Sequence, residues 1–160
     1  MNVRRIIFII LSCIWMTVIF CFSARDADES EKDSYKVGLT VGKVIVHDFE
    51  KQSEEKQMEF AKNVDHPIRK MAHATEYAIL GMLLIGVFYP VKKYYLIAFL
   101  VSVVYSVTDE VHQLFVPGRS GQPTDVMIDS LGALIGILLI LAFISLTKRR
   151  KGLVSSDTVK

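Results

Sequence analysis

The sequence predicts an all-α membrane protein with four transmembrane helices, and three observations predict it. Long apolar runs alternate with short polar segments. Counting its polar ends, each run reaches the ~20 residues that a bilayer crossing requires. Lysines and arginines crowd one side of the resulting up-and-down path, as they do in cytoplasmic loops.

Composition narrows the reading further. Of the 160 residues, 51% are hydrophobic and 22% charged. The two classes are segregated along the chain, which is the pattern of a membrane bundle and not of a mixed soluble surface. A formal net charge of +2, without interleaved basic and aromatic residues or zinc-finger spacing, excludes a nucleic-acid partner.

The first span is expected at about residues 6–24. Arg4 and Arg5 precede it as they would a signal peptide. The apolar run is long for that role, however, and Cys21-Phe22-Ser23 is a poor cleavage site, so an uncleaved anchor is expected. Cys13 and Cys21 both fall within it, ~12 Å apart on one helix, too far for a disulfide.

The connection from Ser23 to Asp65 carries eleven acids and seven bases, which suits the extracytoplasmic side. Val37, Val41, Val44, Ile45 and Phe49 follow Ser34 at helical spacing, predicting a short amphipathic helix. It is expected to rest on the membrane surface or cap the bundle. Residues 50–62 read as a charged helical continuation. Asp65-His66-Pro67 then reads as a helix start, with Pro67 in the first turn of a second span at about 68–90.

The third span, about 94–116, is ended by Pro117-Gly118. The fourth, about 125–147, meets Lys148-Arg149-Arg150-Lys151, the start of a basic tail, 148–160. Residues 1–147 form one membrane domain. Eight basic residues (Arg4, Arg5, Lys92, Lys93 and 148–151) flank one side, against Arg25, Arg69, Lys70 and Arg119 on the other. Both termini are therefore expected in the cytoplasm.

Three polar stretches do not fit a plain apolar bundle. On the second span Lys70, His73, Glu76 and Tyr77 share an arc of ~120°. On the third, Tyr105, Asp109, His112 and Gln113 share a face with Glu110 on its flank. Before and on the fourth come Arg119, Asp125 and Asp129, with Gly132 and Gly136 extending the stripe inward. Alternating spans bring all three stretches to the same membrane face. Ionisable groups are costly near lipid, ~2.5–3.5 kcal/mol at the bilayer centre, so the group must pair internally, bind something or line a wet cavity. A salt-bridge network holding the bundle together is the plain structural alternative. His47 and His66 read as solvated loop residues and Arg69 as an interface anchor. The glycine pair is a packing device for close helix approach.

At these motifs the chain resembles the VanZ-like family of bacterial membrane proteins. The resemblance rests on Phe20-Cys21-Phe22-Ser23, on Arg69-Lys70-x-x-His73-x-x-Glu76-Tyr77, on Asp109-Glu110-x-His112-Gln113, and on Arg119 with Asp125, Asp129 and Gly132. The family's namesake is linked to resistance against teicoplanin, a lipid-tailed glycopeptide acting on the cell wall. The resemblance thus implies a multi-pass cell-membrane protein doing cell-envelope work, without implying a reaction.

Two functions compete. In the first, an extracytoplasmic pocket of Lys70, Tyr77, Glu110, Gln113, Arg119, Asp125 and Asp129 binds or modulates an envelope lipid, a lipid-linked molecule or a lipophilic ligand. In the second, His73, Glu76, Asp109 and His112 are candidate catalytic residues for acid–base chemistry on a lipid-linked substrate. No nucleophile elbow, metalloprotease motif or phosphate loop names the reaction. No cofactor is expected. A divalent metal is the one candidate, with His73, Glu76, Asp109, His112 and Asp129 as donors. A proton relay would need ionisable residues through the membrane's depth, and the inner halves of the spans lack them.

Overall fold

The computed structural model describes the backbone of residues 2–157 and the side chains of residues 2–148. Five α-helices follow in order: α1 Val3–Ser23, α2 Ala27–Ile45, α3 Glu54–Phe88, α4 Tyr94–Gln113 and α5 Pro123–Asp157. A short 3-10 turn, Phe49–Lys51, joins α2 to α3. Four helices have segments long and apolar enough to cross a membrane: α1, α3, α4, and α5 as far as Lys148. Their outward side chains include Ile10, Ile14, Leu100, Val104, Leu138 and Phe143, all exposed and all apolar, as lipid-facing positions should be.

The path is up and down. At one end Arg4 donates to the Tyr89 carbonyl at 3.1 Å and lies over the Tyr89 ring, so the start of α1 meets the end of α3. At the other, the Ala27 amide bonds the Pro117 carbonyl, which joins the α1–α2 corner to the loop between α4 and α5. Helix α3 is central and touches each of the other four. Around it Ile19, Tyr77, Leu80, Leu84, Ile85, Ala98, Ala133 and Ile137 form the core.

The tightest contact is between α3 and α5. A Cβ on Gly132 would strike the Ala74 carbonyl, and one on Gly136 the Ala78 carbonyl. The two helices thus run parallel with their backbones in contact, which the predicted glycine pair permits.

Three expectations need correction. Pro67 does not open a helix; it lies inside α3, which starts at Glu54 and runs 35 residues, ~52 Å. Proline forfeits one backbone hydrogen bond there, and packing carries the helix through. Ala61 and Val64, before the proline, lie against Gly38 of α2, and Asp65 accepts from Ser34 and from Arg69. The charged segment 54–62 is accordingly the first part of α3 and not an extension of α2.

The amphipathic helix forms, but its apolar stripe is not what packs. The buried face of α2 is Ser34, Gly38 and Gly42, whereas Val44 is 81% exposed and Val37 and Ile45 are exposed too. Phe49 leaves the helix altogether and folds back, buried, onto Gly42 and Phe60. Small residues let α2 approach α3 more closely than valines would. In the predicted tail the helical backbone continues through Asp157, while residues 158–160 lie outside the described residues.

Candidate functional site

The end of the bundle holding the α1–α2 corner and the α4–α5 loop also collects the polar side chains. A cavity of about 200 Å³ opens there, walled by Lys70 and His73 of α3, Gln113 of α4, Arg119 and Gln122 of the loop, and Asp125 and Asp129 of α5. A second space of about 240 Å³ shares Arg69, His73 and Arg119 with it and reaches Glu76, Arg25 and Ser34. A third, of about 470 Å³, shares Val37, Ile68, Ala72 and Glu76 with the second and is otherwise lined by Trp15, Val41, Met71, Thr75 and Ile79. The second space thus shares walls with both the polar cavity and the apolar groove, which lie in series from the bundle end to its flank beside α2.

Cations dominate the rim. Lys70 pairs with Asp125 across α3 and α5 at 3.2 Å. Arg69 pairs with Asp65 at 2.6 Å, and Arg25 is held by Glu29 and Asp33 of α2. Arg119 differs from these. It lines both polar spaces, its Nε donates to the Arg25 carbonyl at 3.2 Å, and no carboxylate among the described residues pairs with it. Burial, with Arg69 nearby, pulls its guanidinium below its ordinary value, against the opposing pull of Asp109, Glu110 and Glu76. A guanidinium remains charged nonetheless, so Arg119 presents a half-buried cation to the cavity.

The innermost part of the site is anionic. Asp129 is 0% exposed and Asp109 3% exposed. Ser106 donates to Asp129 Oδ2 at 2.7 Å, and Gln113 lies 3.5 Å from Asp109 Oδ2. Among the described residues the other oxygen of each carboxylate has no hydrogen-bond partner, and neither has His73 Nδ1, which stands 3.7 Å from Asp129 Oδ1. That separation is too long for a hydrogen bond. Donor atoms of His73, Asp109 and Asp129 lie within 4.8 Å of one another. The helix contact explains the convergence, since Asp129 lies one turn before Gly132 and His73 one residue before the Ala74 that Gly132 abuts.

Four other candidates are absent from the wall of the first cavity. Glu110 is buried, and its Oε2 accepts from the Gln122 amide at 2.7 Å, pinning the start of α5. Tyr77 is buried in the core and lines neither polar space. His112 stacks on Phe20, with ring centroids 4.4 Å apart. Glu76 lines the second space, and its carbonyl accepts from the Trp15 indole at 2.8 Å. Conversely, Arg69 and the exposed His66 line the first cavity, where neither was expected. Extended back through Pro67, the helical face of Lys70 and His73 takes in both. Reading Pro67 as a helix start concealed that signal.

A family model described as VanZ/LLP1 matches residues 8–145 of this chain. No curated protein and no solved structure matches it.

Proposed function

The chain belongs to the VanZ/LLP1 family, and on that footing we propose that it works in the cell envelope by binding an amphiphile with an anionic head group. The carrying observation is that the cation-rimmed cavity and the apolar groove lie in series, each sharing wall residues with the space between them. A head group bearing phosphate or carboxylate suits Arg119, whose planar donors match such anions and with which no carboxylate among the described residues forms an ion pair. An acyl tail suits the groove between Trp15, Val41, Met71 and Ile79. Envelope lipids, lipid-linked cell-wall precursors and lipid-tailed glycopeptides all have this chemistry.

In this reading the polar end faces outward, because the basic residues near the span ends favour the opposite side as cytoplasmic. The exposed Val37, Val44 and Ile45 then rest α2 on the outer membrane surface beside the groove. The cavity and the unpartnered carboxylate oxygens argue against a simple internal salt-bridge network, which would balance its charges and fill its space.

A second reading, acid–base chemistry on a lipid-linked substrate, is favoured by His73, half-buried at the cavity beside two buried aspartates. The test is binding of phosphatidylglycerol, with phosphatidylcholine as control, to the purified chain, followed by native mass spectrometry. The anionic lipid should be preferred. Arg119→Ala should weaken it about tenfold or more, since a hydrogen bond to a charged group is worth ~1.5–3 kcal/mol. Equal binding of both lipids, or no effect of Arg119→Ala, rejects the proposal. A His73→Asn variant that still binds the lipid but loses function in cells would move the choice to the enzyme.

A further inference from the structure

Two buried carboxylates and an imidazole meet beside the cavity, His73 and Asp129 on its wall and Asp109 behind them. Among the described residues no lysine or arginine comes within 4.0 Å of a carboxylate oxygen of Asp109 or Asp129. Buried charge without a partner is strongly unfavourable. The second oxygen of each aspartate is engaged by a neutral side chain, Ser106 on Asp129 and Gln113 on Asp109. That leaves Oδ1 of both, with His73 Nδ1, unpartnered.

We propose that His73, Asp109 and Asp129 form a binding site for one divalent transition-metal ion, of the zinc or manganese class. Two carboxylates match the charge of such an ion, and one nitrogen with two oxygens matches its donor preference. Ser106 and Gln113 are the outer partners that orient ligating carboxylates. Ligands ~2.1 Å from a common tetrahedral ion stand roughly 3.4 Å apart. The His73–Asp129 separation of 3.7 Å is close to that, and every separation in the set is within 4.8 Å. His73 and Asp129 line the cavity, so the ion keeps an open position toward it, as metal sites that receive a ligand do. Tyr77, Glu110 and His112 take no part.

The site is testable without knowing the amphiphile. The full chain in detergent is stripped with chelator, desalted and titrated with Mn²⁺ while the free-ion spin-resonance signal is followed, with Zn²⁺ as competitor. One equivalent should bind per chain, displaced by Zn²⁺, and pulsed spectra should show coupling to an imidazole nitrogen. Asp129→Asn and His73→Ala should each weaken binding at least tenfold, and the latter should abolish the nitrogen coupling. Asp48→Asn, at an exposed acid outside the site, should change neither. Circular dichroism establishes that each variant is folded; should both site variants fail to fold, the nitrogen coupling in the wild-type chain decides. No saturable equivalent in the folded wild-type chain, no nitrogen coupling, or unchanged affinity in both folded site variants overturns the proposal. Lipid binding measured in chelator reports on the head-group reading separately, so either proposal can fail alone.

Discussion

Glu110 illustrates how a side chain's neighbours decide its role. By sequence it belongs beside Asp109 in the pocket; in the fold its carboxylate reaches the Gln122 amide at the loop before α5. Glu110→Ala is expected to destabilise the protein by ~1–3 kcal/mol, because it removes the acceptor from that amide. Thermal unfolding in detergent measures this, and Glu110→Gln, which retains an acceptor oxygen, should lose less. Lipid preference should persist in whatever Glu110→Ala protein remains folded, since Glu110 lines neither polar space. Arg119, expected in the same pocket, does line it. Its place in a short loop carries no helical periodicity, yet the loop sets it between α3 and the α1–α2 corner.

Among the helices, the α3–α5 contact governs the site's geometry. Gly132 and Gly136 were legible as a close-packing pair, and the backbones of Ala74 and Ala78 are what they approach. Gly132→Val should force the helices apart and destabilise the bundle by ~1–3 kcal/mol or more. Because Asp129 and His73 flank that contact, the variant should also weaken metal binding, read by the same Mn²⁺ titration. A lipid-facing change such as Leu138→Ala, at an exposed position, should leave both nearly unaltered. Helix α2 was legible as a helix but not as to which face it buries. Its valines dominate the hydrophobic pattern, yet backbone proximity to Ala61 selects the small stripe of Ser34, Gly38 and Gly42.

For the whole molecule, the proposed orientation places α2 outside and the α3–α4 connection inside. In a background lacking Cys13 and Cys21, Thr40→Cys on α2 should react with a membrane-impermeant maleimide in intact cells. Val91→Cys, in the α3–α4 connection and exposed, should react only after permeabilisation. The reverse pattern would invert the orientation and move the head-group pocket to the cytoplasmic face. The pocket itself would survive, because its convergence depends on alternating helices and not on which side is which.

The four apolar segments, their alternation and the gathering of polar residues at one end are written in residue order, since crossing lipid imposes a length and a polarity on each segment. The family follows from motif spacing over nearly the same stretch. Which of those polar residues touch one another is not written there. Periodicity assigns a side chain to a helix face, but helix rotation, interaxial distance and loop conformation select its partner. Those three turned Glu110 toward a backbone amide, buried Tyr77 in the core and stacked His112 on Phe20. They also brought His73, Asp109 and Asp129 together, from three helices, where a glycine lets two backbones touch.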